Sequence, residues 1–269
     1  MNRLIAAHML VPFLLVSSCA SSGKSDRNTE PPKPSSTQAK TKATADPLYS
    51  ITLMRQGNVL MKQGHFEEAI EYFEQADRVA PGNATVHNMI GLCQLRMGQF
   101  DQALASFNKT LMLTPGFTDA RNNRGSTYMA MGQFHMAEVD FLAVLSDSTY
   151  PHRKQVYFNL GLTYLQRGQL GAAGENIRKS IILPNPVFDG YLVLAKLAQR
   201  QGETDLAKSL LEEARLEFPN RVEVSFELGK LLMLTGQESE ARPHLERVIA
   251  SDPDSESADT ARALLGQDE

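Results

Sequence analysis

Beyond residue 47 the chain repeats a fixed alternation of small, apolar and polar positions, paced by one glycine. Gly64, Gly98, Gly132, Gly168, Gly202 and Gly236 follow one another at intervals of 34, 34, 36, 34 and 34 residues. Seven residues before each marker stands a small residue: Gly57, Gly91, Gly125, Gly161, Ala195 and Gly229. Five residues after it stands an alanine (Ala69, Ala103, Ala137, Ala173, Ala207, Ala241), and nine after it a large apolar residue (Phe73, Phe107, Phe141, Ile177, Leu211, Leu245). Proline returns seventeen residues after four of the markers, at Pro81, Pro115, Pro219 and Pro253. This pattern predicts two antiparallel helices per repeat. The first small residue lets them approach closely, the marker glycine turns the chain, the large residue fills the space between them, and proline stops the second helix.

Six repeats are expected at about 50–83, 84–117, 118–153, 154–187, 188–221 and 222–253, within a region of 47–253. Ser255 to Leu265 has helical spacing and a polar composition, which suits a capping helix within 254–269. A helix of about 14 residues is marginal alone, so stability must come from stacking on neighbours. Together these positions resemble tetratricopeptide repeats from Leu48 to about Pro253. The resemblance implies an all-α, right-handed superhelical solenoid whose concave face is lined by the first helix of each repeat. Ala195, in place of a glycine, and the longer third repeat are modest departures.

Carrying the family's groove places onto this chain gives Met54, Asn58 and Met61 in the first repeat and Asn88, Leu92 and Leu95 in the second. The third offers Asn122 and Met129, and the fourth Phe158, Leu162 and Leu165, spaced i, i+4, i+7. Apolar groups in that number need a cover, and methionines suit an apolar helix or an extended peptide. Any single one of these residues could equally pack against the adjacent repeat; the expected partner-binding groove rests on the set. The fifth and sixth repeats instead offer Lys196, Arg200 and Lys230 beside Phe226 and Met233, suited to acidic groups. The lysines of the family's C-terminal-carboxylate clamp are missing beside Asn58, Asn88, Asn122 and Asn123.

Ahead of the repeats, Arg3 precedes an apolar run, Leu4 to Val16, of 13 residues interrupted only by His8 and Pro12. That run is too short for a bilayer core of ~30 Å, which takes ~20 helical residues, so residues 1–18 are expected to be a signal peptide. Val16-Ser17-Ser18-Cys19 resembles the lipobox of bacterial lipoproteins. The resemblance implies cleavage before Cys19, a covalent lipid on its sulfur and an acylated new N-terminus; a secretory signal with a chance cysteine is the alternative. Ala20 after the cysteine, by resemblance to Gram-negative lipoproteins, implies sorting to the outer membrane, with the protein held at its periplasmic face. Residues 19–46 contain no aromatic or large aliphatic side chain and are expected to form a disordered tether with a span of about 30 Å.

Composition narrows the chemistry. A net charge of -4 over 269 residues leaves no basic footprint for nucleic acid. The six histidines show no ligand spacing, and phosphate loop, nucleophile elbow and HExxH motif are all missing, so no metal site and no catalytic residue is expected. No cofactor beyond the lipid and no small-molecule substrate is expected either. Glu67 with Glu68, Glu212 with Glu213 and Glu238 with Glu240 read as solvated helix faces, and Cys93 as an inert buried thiol.

Lipobox, tether and six repeats together resemble the type IV pilus biogenesis and stability lipoproteins, the pilotins of the outer-membrane secretin. "DARNNRGSTYMAMGQF" is close to that family's Asn-Asn-aromatic-Gly opening, with Arg124 in the aromatic's place. In "SDSTYPHRKQVYFNLGLTYLQRG", Tyr150-Pro151 and Asn159 to Leu162 match its Tyr-Pro insertion and Asn-Leu-Gly-Leu run. The resemblance implies a non-catalytic scaffold that binds secretin subunits, travels with them to the outer membrane and promotes their multimerisation. An envelope adaptor that recruits peptidoglycan hydrolases or other cell-wall enzymes fits the same architecture.

Overall fold

The computed structural model describes residues 47–267, with side chains from Leu48; the expected signal peptide, Cys19 and tether, and residues 268–269, lie outside that range. Among the described residues there are thirteen helices and no strand. The first three repeats are built from α1 (Pro47–Gln63) and α2 (Phe66–Val79), α3 (Ala84–Arg96) and α4 (Phe100–Leu113), and α5 (Thr118–Ala130) and α6 (Phe134–Leu145). The next three are α7 (Arg153–Gln166) and α8 (Leu170–Ile182), α9 (Phe188–Gln201) and α10 (Thr204–Glu217), and α11 (Val222–Leu234) and α12 (Glu238–Ser251), followed by α13 (Glu256–Leu264). By its internal contacts the chain divides into two compact units that meet within α6, one ending at Asp140 and the other beginning at Phe141.

The marker glycines occupy the turns between paired helices. All six have positive φ, from +72° at Gly132 and Gly168 to +86° at Gly64, a region costly for any residue with a Cβ. The residue after each marker donates its N–H to the carbonyl five residues earlier, as Gln99 does to Gln94 at 2.8 Å and Gln237 to Leu232 at 2.8 Å, which closes each first helix in the same way. The close-approach glycines meet the predicted large residues. A Cβ on Gly91 would lie 2.6 Å from Phe107, one on Gly161 2.4 Å from Ile177, and one on Gly229 2.6 Å from Leu245. In the fifth repeat Ala195 and Leu211 hold the corresponding places, and both are buried.

A second register explains where the stacking stops. Twelve, eight and five residues before the marker, the second repeat buries Val86, Ile90 and Cys93 and the sixth buries Val224, Leu228 and Leu231. The first repeat has Thr52, Gln56 and Val59 there, all exposed. At the other end α13 buries Ala258, Ala261 and Leu265, packs on α11 and α12, and turns Glu256, Asp259 and Thr260 to solvent.

In the N-terminal unit one apolar cluster joins Leu53, Leu60, Phe73, Val86 and Ile90, and another joins Leu95, Ala103, Phe107 and Ala120. In the C-terminal unit a single cluster runs from Phe158 through Tyr191, Leu211 and Leu228 to Leu245 and Leu265. The two residues that lengthen the third repeat fall in the turn after α6. Asp147 there accepts from the backbone N–H and the hydroxyl of Thr149 (2.9 and 2.6 Å), and Arg153 donates to the carbonyls of Leu145 and Asp147 (2.9 and 2.7 Å). Tyr150 is buried beside them, its ring edge-on to His152.

Candidate partner-binding face

Eight of the eleven predicted groove residues are half-buried: Met54, Asn58 and Met61 on α1, Leu92 on α3, Asn122 and Met129 on α5, and Leu162 and Leu165 on α7. Met54 and Met61 pack on the core of the first repeats, and the amide oxygen of Asn122 is buried with no hydrogen-bond partner among the described residues. The Sδ of Met54 lies 3.7 Å from the amide nitrogen of Asn83, which donates to it. Leu162 and Leu165 lean against the continuous cluster of the C-terminal unit, and Leu92 against the cluster of Phe107.

Three of the eleven are corrected by the structure. Asn88, Leu95 and Phe158 are only 2, 4 and 4% exposed and offer nothing to a partner. Asn88 is covered because its amide oxygen accepts a hydrogen bond at 3.1 Å from the Nδ2 of Asn123 on the next first helix. Leu95 packs with Ala103, Phe107 and Ala120, and Phe158 belongs to the core of the C-terminal unit.

Within the C-terminal unit the first helices after α7 offer different chemistry. On α9, Leu192 and Val193 are half-buried while Lys196 and Arg200 are exposed; on α11, Phe226, Lys230 and Met233 are half-buried. Lys196 and Lys230 occupy the same place in successive repeats, six residues before the marker. The ammonium of Lys230 stands 4.8 Å over the ring of Phe226 and 3.2 Å from a Glu227 oxygen.

Arg124 is the polar feature that the repeat pattern flags without explaining. It stands eight residues before its marker, where Ile90, Leu160, Leu194 and Leu228 are buried elsewhere. Its Nε and Nη2 donate to the two carboxylate oxygens of Asp140 on α6 (2.8 and 2.7 Å), and its Nη1 donates to Asn108 on α4 at 2.7 Å. The Asp140 side chain is 4% exposed, and these bonds raise the guanidinium's pKa above its already high value. A charge at an interior register position requires a counter-charge within reach. That signal could have directed attention to the acidic residue on the paired helix.

The titratable groups have structural settings. Burial pushes the Cys93 thiol up to about 12 and keeps it unreactive at neutral pH. Burial also lowers the pKa of His87, whose Nε2 lies 3.3 Å from Asp77 without hydrogen-bond geometry. It borders a cleft of about 390 Å³ whose charges pair with one another, Arg78 with Glu74 and Lys109 with Asp77. Among the described residues no group of three His, Cys, Asp or Glu could hold a metal, and no helix is long and apolar enough to cross a membrane.

This stack of helix pairs, pinned by glycine turns and presenting its first helices to solvent, is the architecture of a protein-interaction scaffold. Profiles of the tetratricopeptide repeat match residues 60–122 and 198–265, and residues 118–146 and 154–182. The chain belongs to the tetratricopeptide-repeat family, all-α scaffolds that mediate protein–protein interaction and are typically non-catalytic. A comparison with curated proteins finds no match. Among solved structures, Pseudomonas aeruginosa PilF is 19% identical, with a TM-score of 0.68 over 80% of this chain and 97% of that one. PilW, described as a widely conserved type IV pilus biogenesis factor, is also 19% identical, with a TM-score of 0.69 over 80% of this chain and 99% of that one. YrrB, a repeat protein with an unusual peptide-binding site, is 17% identical, with a TM-score of 0.54 over 71% of this chain and 97% of that one.

Proposed function

We propose that this protein is an outer-membrane lipoprotein of type IV pilus biogenesis that binds secretin subunits through its first-helix face and promotes their localisation and multimerisation. The observation that carries this reading is the set of half-buried apolar and amide side chains that the first helices of each unit present, on α1, α3 and α5 in one and on α7 in the other. The likeness to PilF and PilW over nearly their whole length supports the choice of process. The lipobox ending at Cys19 and the tether after it supply the means of delivery. At about 0.8 kcal/mol per buried CH₂, a diacylated cysteine with an acylated N-terminus holds firmly where one chain would not. Anchoring also raises the local concentration of the face near a membrane-bound client, strengthening a modest affinity without any new contact.

The test is recovery of the lipidated protein from envelopes of its own cells, followed by identification of what accompanies it. Secretin subunits are expected with the wild type, and Leu162→Glu should reduce their recovery about tenfold with the helical circular dichroism signal retained. Cys19→Ala should leave the protein soluble in the periplasm and the secretin mislocalised. Recovery of a peptidoglycan hydrolase instead of secretin, or secretin recovery insensitive to Leu162→Glu, would overturn the reading.

A further inference from the structure

Six residues before the marker the last two repeats place lysine, Lys196 and Lys230, where the N-terminal unit has Asn58, Leu92 and Ser126. Several surface cations of this unit have carboxylate partners: Lys179 pairs with Glu175 at 2.7 Å, Lys208 with Glu240 at 2.8 Å, Arg242 with Glu238 at 3.6 Å and Arg262 with Asp259 at 2.7 Å. Among the described residues Lys196 and Arg200 make no such pair, although both are exposed on the solvent side of α9, four residues apart. Lys230 repeats the Lys196 place on α11, where its bond to Glu227 is at the surface and so exchangeable at little cost. On α7, α9 and α11 the apolar side chains of Leu165, Leu192, Phe226 and Met233 are half-buried and pack on the core of the unit, and the Lys230 ammonium lies 4.8 Å over the Phe226 ring. An apolar strip bordered by unpaired ammonium and guanidinium groups is complementary to one kind of polypeptide: an amphipathic segment with carboxylates along the edge of its apolar face.

We infer that the C-terminal unit binds an amphipathic helical segment bearing acidic side chains, the apolar residues resting on Leu165, Leu192, Phe226 and Met233 and the carboxylates meeting Lys196, Arg200 and Lys230. This rests on the proposed reading that the first helices take a polypeptide, and it specifies the partner's chemistry at one end of the face. The carboxylates set register and specificity, because exposed ion pairs add little affinity each and are screened by salt. The apolar strip supplies the contact area.

The experiment uses the full chain in detergent and three synthetic helical peptides of about 18 residues with leucines at i, i+4 and i+7. The residues flanking the leucines are Glu in the first, Gln in the second and Lys in the third. At low salt the Glu peptide is expected to bind about fivefold more tightly than the Gln peptide and still more tightly than the Lys peptide, as a few surface pairs allow. That preference should vanish at high salt. Lys196→Glu with Lys230→Glu should reverse it in favour of the Lys peptide. Because both changed residues reach solvent, the fold should stay intact, checked by an unchanged urea midpoint. Equal binding of all three peptides, a preference that survives the charge reversal, or lysine-dependent binding to anionic phospholipid vesicles without peptide preference would each overturn the inference. If the peptides behave as expected but secretin is not recovered from envelopes, the proposed function fails and this inference stands.

Discussion

The two compact units solve the same stacking problem with different materials. In the C-terminal unit Leu160, Leu194 and Leu228 occupy the interior place eight residues before the marker, and one apolar cluster links α7 to α13. In the N-terminal unit the same place in the third repeat holds Arg124, satisfied by Asp140 and Asn108, and further polar bonds join successive helices. Thr110 donates to the carbonyl of Ala84, Ser106 to Gln94 and Asn123 to Asn88. Apolar stacking is strong and indifferent to exact geometry, whereas a buried ion pair fixes orientation and tolerates the loss of neither partner. The third repeat is accordingly the place where alignment depends on specific hydrogen bonds.

The sharpest way to break this comparison is Phe158→Ala. With the ring 4% exposed inside the continuous cluster, truncation should cost about 3–5 kcal/mol, read as a lower urea midpoint. Unchanged stability with lost partner capture would return Phe158 to the binding face. Next comes Asp140→Ala, which leaves Arg124 without its counter-charge and should cost about 3 kcal/mol. Arg124→Leu combined with Asp140→Leu should recover most of that loss, because the fourth, fifth and sixth repeats bury leucine at the Arg124 position; a double variant as unstable as the single would contradict the substitution of one material for the other. The smallest effect is a pH dependence. Burial lowers the pKa of His87 in the N-terminal unit and of His244 in the C-terminal unit below the ordinary 6.5. Asp77 opposes the shift at His87 and Lys109 reinforces it, while Arg215 and Arg247 reinforce it at His244. Below about pH 6.5 the unfolded chain takes up protons that the folded one refuses, so this contribution is full above 6.5 and falls as the pH drops toward the folded values. His87→Gln should flatten the decline in melting temperature between pH 6.5 and 5; a wild-type curve that rises over that interval would contradict the assignment.

What could be read from residues alone follows a physical line. The turn glycines and their positive φ, the pairing of a small residue with a large apolar one and the buried alanines recur in every repeat, so they leave the same mark at the same spacing. The buried Cys93 was legible because it shares its register place with core residues. Exposure along the first helices was only partly legible, since it depends on what the next repeat lays over each position. Asn88 is buried by Asn123, yet Asn122, one repeat on at the same place, stays half-buried. Phe158 and Leu162 lie one turn apart on α7, and only Leu162 keeps part of its side chain in water. Arg124 was visible as a departure from an aromatic residue, but its partner sixteen residues later emerges only when α6 folds back.

The central claim is that the first helices, not the second, hold the client polypeptide. Photo-crosslinking in living cells tests it most directly, with a photoreactive amino acid placed singly at Met61, Leu162, Glu212 or Glu238. Secretin adducts are expected from Met61 and Leu162 on α1 and α7 and none from Glu212 and Glu238 on α10 and α12. Adducts confined to the second-helix sites, or equal at all four, would contradict it.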